Sequence, residues 1–240
     1  MHKIIVNNII VDVVRKDIKN LHLAVYPPTG RVRIAAPLKS NDDAIRLFVI
    51  SKLSWIKKHK IKFETQERQT AREYVTGESH YYQGKRFLLN VTHENAMNKV
   101  IIRNKTSIDL FIDKDSTLEQ RHRIMTEWYR KQLKEQISPI LDKWQKIIGV
   151  AACDYRIRRM KTKWGSCNVA ARSILLNLEL IKKPKHCIEY IVVHELVHFL
   201  ERHHNDRFIS HMDKFMPQWR NYRDELNCFV LNHAHWDYQL

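Results

Sequence analysis

The 240-residue chain contains neither a long apolar run nor closely paired cysteines. No apolar stretch approaches the roughly 18 residues of a membrane-spanning helix, so we expect no membrane span. The first residues, 1–8, alternate and include asparagines, which predicts a strand rather than a signal peptide. Without a Cys-x-x-Cys pair, a zinc site built from thiolates is unlikely and small buried side chains in a reducing compartment are favoured; the four cysteines are Cys153, Cys167, Cys187 and Cys228. These features predict a cytoplasmic protein.

Acidic residues are scarce relative to basic ones. Lysine and arginine number 42 against 26 aspartates and glutamates, which leaves a net charge of +16. An excess of basic residues indicates what kind of molecule the protein binds and carries no information about its fold. The densest basic cluster runs from Arg156 to Lys163, and in a strand its alternate members Arg159, Lys161 and Lys163 would line one side. These three residues are candidates for contact with nucleic acid or another polyanion; the alternative is a basic charge spread over solvated faces.

The motif His194-Glu195-Leu196-Val197-His198 is the strongest chemical signal in the chain. Two histidines four residues apart lie about 40° apart around a helix, so both can reach one metal ion. The intervening Glu195 can act as the general base of a zinc hydrolase. The surrounding run is apolar, and burying these polar groups without a partner would cost several kcal/mol. The pattern therefore predicts one Zn²⁺ per chain, with Glu195 as the catalytic residue.

A catalytic zinc site needs a third protein ligand, and local spacing leaves two main candidates. If the helix continues, Glu201 shares the face of His194. His204 can reach the metal only if the helix ends soon after His198 and the chain turns back. No glycine marks such a break, although Asn205 and Asp206 are suitable N-caps for a new helix. Glu201 and His204 both remain open at this point.

The pattern of apolar residues predicts an α+β protein with a β-rich N-terminal module over residues 1–114 and a catalytic module over residues 115–240. Alternating stretches and turn residues indicate several short strands in the first module. In the second, Ser116-x-x-Glu119 opens a long helix that Pro139 kinks or divides and Gly149 ends. Strands at 154–160 and 172–178, a metal-binding helix at about 186–201 and two shorter helices follow.

Several motifs together resemble one known family, the YgjP-like metal-dependent hydrolases, which are similar to SprT-type and other zincin metallopeptidases. The resemblance covers nearly the whole chain, and its most specific part lies between residues 161 and 208. The chain departs from the family pattern at His203, Asn205 and Ile209. The motifs that carry the resemblance are Lys161-Thr-Lys-Trp-Gly-Ser-Cys167, Ile174-Leu-Leu-Asn177, Pro184, His194-Glu-x-x-His198 and His204-Asn205.

The resemblance implies a zincin-like metallopeptidase module in which a small sheet lies over the metal-binding helix. It implies His194, His198 and His204 as ligands, with Glu201 as an outer group that holds an imidazole N–H. It also implies a peptide or protein substrate, bound in extended form along an edge strand. The candidate edge is 172–177 or the 164–167 turn, and the candidate cleft residues are Trp164, Gly165 and Asn177.

Two other functions remain open. Members of this family have been labelled UTP pyrophosphatases, and a basic cluster near the metal would suit a triphosphate. A nucleic-acid-associated module with a structural zinc is the third class. The physiological substrate and the oligomeric state are not determined by the sequence.

Overall fold

The structure is a computed structural model that describes residues 2–26, 30–65, 72–94, 98–152, 154–160 and 163–228. The chain forms two compact units, one within residues 1–69 and one within residues 70–229. The module boundary predicted near residue 114 lies inside the second unit. The division into domains at residue 114 therefore stays a prediction.

The first unit contains a four-stranded sheet and two helices. Residues at alternate positions of the sheet form its buried core with α1 and α2. The strand order is β1-β2-β4-β3, with β2 and β4 parallel. Its elements are β1 (His2–Val6), β2 (Ile9–Lys16), β3 (His22–Tyr26), β4 (Arg31–Pro37), α1 (Asp42–Ser51) and α2 (Leu53–Thr65).

The second unit opens with a sheet of the same connectivity as the first. Each sheet starts with a tight hairpin, whose two turn residues have positive φ: Asn7 and Asn8 in the first, Gln83 and Gly84 in the second. Asparagine and glycine tolerate this left-handed conformation well, as type I′ turns require. The order is β5-β6-β8-β7, with β6 and β8 parallel. Its strands are β5 (Ser79–Tyr82), β6 (Lys85–His93), β7 (Lys99–Ile102) and β8 (Ser107–Ile112).

A 31-residue helix, α3 (Leu118–Ile148), packs against the helix that carries the metal motif. Its capping box consists of Thr117 and Gln120, one residue later than the predicted Ser116 and Glu119. Pro139 lies inside α3 and does not divide it. Gly149 ends the helix in the left-handed conformation (φ 79°), which confirms the predicted helix end.

A small three-stranded sheet follows, in the order β10-β11-β9. Strand β10 packs against α4, the metal-motif helix, so the sheet lies over that helix and the α+β class is confirmed. Because β11 is the central strand, the segment 172–177 is not an edge, and that half of the edge prediction is wrong. The elements are β9 (Asp154–Arg158), β10 (Gly165–Asn168), β11 (Ser173–Asn177), a 3₁₀ helix (Leu178–Lys182), α4 (Lys185–Val197), α5 (Asp206–Phe215) and α6 (Trp219–Cys228).

Among the described residues, no helix is both long enough and apolar enough to span a bilayer. The longest, α3, is amphipathic and carries many charged side chains.

Candidate metal centre

Helix α4 ends immediately after the metal motif. His194 and Glu195 are 2% and 1% exposed within it, and His198 is the C-cap residue. The backbone N–H groups of Phe199 and Leu200 donate to carbonyl oxygens three residues back, which tightens the helix end without a glycine. The helix is therefore four residues shorter than the predicted 186–201 at this end.

The chain then turns back and starts a new helix. Asn205 caps α5, its side chain accepting a hydrogen bond from the Phe208 backbone N–H at 3.1 Å. This agrees with the predicted capping position. The turn between Val197 and Asn205 brings His204 towards the two motif histidines, as only an early helix end allows.

Three imidazoles converge on one point. The Nε2 atom of His204 lies 3.1 Å from Nε2 of His194 and 3.1 Å from Nε2 of His198. A tetrahedral zinc ion with Zn–N distances of about 2.0–2.1 Å separates its nitrogen ligands by about 3.3 Å. The phenyl ring of Phe208 packs against all three imidazoles, with centroid distances of 4.7–4.9 Å. The donor set and its spacing fit zinc.

Burial keeps the two motif imidazoles, those of His194 and His198, uncharged at neutral pH. Burial, with a further contribution from His198 and His204, holds the pKa of His194 well below its ordinary value. Burial likewise lowers the pKa of His198 to about 4. Because only a neutral imidazole can bind a metal, low pKa values favour binding at neutral pH. The Nδ1 atom of His198 donates to the Glu201 carbonyl oxygen at 3.1 Å, which leaves its Nε2 lone pair on the side of the cluster.

Glu201 holds this imidazole N–H through its backbone and not through its side chain. Its carboxylate instead accepts a hydrogen bond from the His203 backbone N–H at 3.1 Å. One group of side-chain atoms close enough to share an ion contains His194, His198 and His204 and does not include the Glu201 carboxylate. Glu201 thus holds an imidazole N–H, as predicted, through its backbone carbonyl oxygen, and the alternative role of its carboxylate as a ligand is not supported.

Glu195 lies against the small sheet. A Cβ atom at Gly165 would lie 2.3 Å from Glu195 Oε1, so the backbone of β10 packs directly on this carboxylate. Only glycine leaves room for this approach. Burial raises the pKa of Glu195 to about 8, and the charge of Lys163 opposes this shift. The carboxyl is thus poised to exchange a proton near neutral pH.

The other two candidate cleft residues are enclosed by protein. Trp164 is 1% exposed, and the Lys183 ammonium lies 5.7 Å from its ring centre. Asn177 is 0% exposed. Neither side chain faces solvent, so their direct contact with a substrate is not supported. Lys163 was predicted as a polyanion contact and Cys167 as the end of a candidate edge. Both interact electrostatically with Glu195, so both lie near its carboxylate.

The predicted basic strand face is not formed. Strand β9 ends at Arg158, so Arg159 does not belong to a strand. Arg159 instead pairs with Glu179 at 3.4 Å, Lys163 is exposed in the segment that leads into β10, and Lys161 lies outside the described residues. The alternation argument fails because the chain leaves the sheet before the cluster is complete.

Comparisons with known proteins agree with this site. The model of the YgjP-like metallopeptidase domain matches residues 19–229. Two similar solved structures are the metallopeptidase zymogens abylysin from Pyrococcus abyssi and jannalysin from Methanocaldococcus jannaschii. The match with abylysin has 21% identity and a TM-score of 0.36, and it covers 38% of this chain and 90% of the abylysin chain. The match with jannalysin has 19% identity and a TM-score of 0.34, and it covers 38% of this chain and 92% of the jannalysin chain. TM-scores below 0.5 add nothing to the family match. None of the curated proteins matches the chain.

His204→Ala should weaken zinc binding by more than the roughly 10–100-fold that loss of an outer partner costs. Glu201→Ala should cost less than that range, because the carbonyl that holds His198 belongs to the backbone. Competition with a fluorescent zinc chelator measures both affinities. His211→Ala serves as the control, since its imidazole stacks on Phe215 and is outside the cluster. A variant series in which Glu201→Ala strips the metal and His204→Ala does not would refute this arrangement.

Gly165→Ala should lower the free energy of unfolding by about 1–3 kcal/mol, as overpacking usually does. The cause is the clash with the Glu195 carboxylate, so the double variant Gly165→Ala/Glu195→Ala should recover most of the loss. Urea unfolding of the wild type, both single variants and the double variant measures the coupling. Additive single effects would show that the β10 backbone does not pack on this carboxylate.

Proposed function

The chain belongs to the YgjP-like metallopeptidase family, and on that basis we propose that it is a zinc-dependent peptidase with Glu195 as its general base. The observation that carries this proposal is the convergence of three imidazole nitrogens, two of them on histidines whose pKa is lowered by burial, beside a buried carboxyl. His194, His198 and His204 would hold one zinc ion per chain, and an open fourth position is what a catalytic zinc keeps.

The chemistry divides between the ion and the protein. Zinc, when bound, supplies Lewis-acid activation of the scissile carbonyl and of the attacking water. Glu195 takes a proton from that water and returns it to the nitrogen of the leaving amine, so the carboxyl ends the cycle in its starting state. Burial raises the pKa of Glu195 to about 8 in the metal-free site, and the charge of a bound zinc ion would lower it towards the ionised form that a base needs.

An extended peptide would bind along β10. The Asn177 backbone N–H donates to the Trp164 carbonyl oxygen at 2.8 Å. Hydrogen-bonded and non-bonded pairs alternate in an antiparallel ladder, so the peptide groups of Gly165 and Cys167 are directed away from β11. A substrate strand that pairs with these groups would run beside Glu195, which packs on Gly165. Backbone pairing of this kind favours unfolded or extended segments over folded proteins.

Glu195→Gln should retain one zinc per chain and lose hydrolysis of an unfolded protein substrate by about 100-fold or more, because the base is not a ligand. Metal analysis and a casein-type cleavage assay on the same sample test this. Glu127→Gln is the control, as its carboxylate is exposed on α3.

Two results would contradict the proposal. The first is full activity of Glu195→Gln. The second is pyrophosphate release from UTP by a zinc-loaded wild-type sample that leaves unfolded protein intact, which would favour the nucleotide hydrolase.

Cys167→Pro should raise the KM for an extended peptide while zinc content is unchanged. Proline removes an N–H that points away from β11, so the ladder within the sheet loses no hydrogen bond. Cys167→Ala keeps the N–H and should leave the KM near that of the wild type. Equal KM values for the alanine and proline variants would exclude pairing of the substrate with this position of β10.

A further inference from the structure

Asn177 makes an unusually complete set of hydrogen bonds for a side chain with no exposed surface. Its Oδ1 accepts from the backbone N–H of Met160 at 3.3 Å and of Glu179 at 3.1 Å. Its Nδ2 donates to the carbonyl oxygens of Met160 at 3.0 Å and Lys163 at 2.8 Å. Both donors and two acceptor sites of the carboxamide are therefore used.

These bonds hold the segment that leads into the substrate edge. Strand β9 ends at Arg158 and β10 begins at Gly165. In the described part of the intervening segment, Met160 and Lys163 are bound by the Asn177 side chain, and Trp164 by its backbone N–H. The carboxamide thus gives Met160 and Lys163 hydrogen bonds of the kind that a neighbouring strand gives to a strand residue.

The segment continues directly into the wall of the active site. Gly165 follows Trp164, and its backbone is in contact with the Glu195 carboxylate. A shift of Trp164 or Gly165 would therefore move both the surface against which the general base packs and the first peptide group available to a substrate. Displacements of about 1 Å in a catalytic arrangement can cost about 100-fold in rate.

We propose that Asn177 is a positioning residue that fixes Met160, Lys163 and Trp164 and thereby sets β10 against Glu195 and towards the substrate. The catalytic part of this inference rests on the proposed peptidase function. Asn177 acts through Gly165 and the β10 edge, since its own side chain is enclosed. The role explains why an amide follows three apolar residues at the end of β11: an apolar residue there would remove the partner of the Met160 and Lys163 carbonyl oxygens.

Asn177→Asp isolates the donated bonds. An aspartate keeps an acceptor for the Met160 and Glu179 N–H groups and remains a good cap for the 3₁₀ helix, but it cannot donate to both carbonyls. We expect unchanged zinc stoichiometry and a fall of about 100-fold in kcat/KM. The kcat should fall for short and long peptides alike, whereas the KM should rise only for peptides long enough to pair along β10.

Hydrogen–deuterium exchange supplies a readout independent of activity. In Asn177→Asp, peptides covering 159–168 should exchange faster, while peptides from α4 should be unchanged. The control is Gln145→Ala, which removes a comparable bond, from the Ala152 N–H to Gln145 Oε1 at 2.6 Å, before β9. Gln145→Ala should leave the exchange rates of residues 159–168, the kcat and the KM at their wild-type values.

The inference is overturned if residues 159–168 of Asn177→Asp exchange at the wild-type rate. It is also overturned if the kinetic constants of Asn177→Asp equal those of the Gln145→Ala control. If Asn177→Asp does not fold, exchange in the wild type still tests the inference. The Met160 amide lies outside any strand and should nevertheless exchange as slowly as a strand amide. Fast exchange at Met160 would show that Asn177 does not hold this residue. A wild-type enzyme without peptidase activity would refute the proposed function, and the exchange data would then show by themselves whether Asn177 holds β10.

Discussion

The histidine cluster of this protein depends on holding Nε2 of His204 3.1 Å from Nε2 of both His194 and His198. Like charges at that distance repel strongly, and an apolar interior disfavours each protonated form. Helix α4 buries His194, burial lowers the pKa of both motif histidines, and Phe208 closes the cluster from α5. The short turn after Val197 contributes as well, because it brings His204 to the motif histidines. Its Glu201 carbonyl oxygen accepts a hydrogen bond from the His198 imidazole.

The small sheet is built around the neighbouring carboxylate. Glu195 is enclosed, and its Oε1 faces the one position of β10 without a side chain. Close contact between a strand backbone and a carboxylate requires that the strand be held firmly, and Lys163 and Trp164, just before β10, are outside the strand. The buried amide of Asn177 supplies the hydrogen bonds that a neighbouring strand would otherwise provide. The histidine cluster, Glu195 and the β10 edge are thus linked through the α4 and β10 contact.

Sequence patterns were reliable where the chemistry is local. A spacing of four residues on a helix places His194 and His198 on one face whatever surrounds them. Gly149 and Asn205 act at helix ends through the conformation and hydrogen bonds of the residue itself. Predictions failed where a residue's role depended on which way the chain turned. Helical spacing left Glu201 open as a third ligand, but the helix ends at Val197; strand alternation placed Arg159 on a basic face, but the strand ends at Arg158.

The sequence by itself determined the α+β class, the motif helix and the identity of the general-base candidate, because periodicity and spacing act over a few residues. Only the tertiary structure decided that His204, rather than the Glu201 carboxylate, joins the pair, that β10 and not β11 is an edge, and that Asn177 is buried. Each of these depends on contacts between segments far apart in the chain. Strand order and the side on which a turn closes are set by such contacts, and local propensities leave them undetermined.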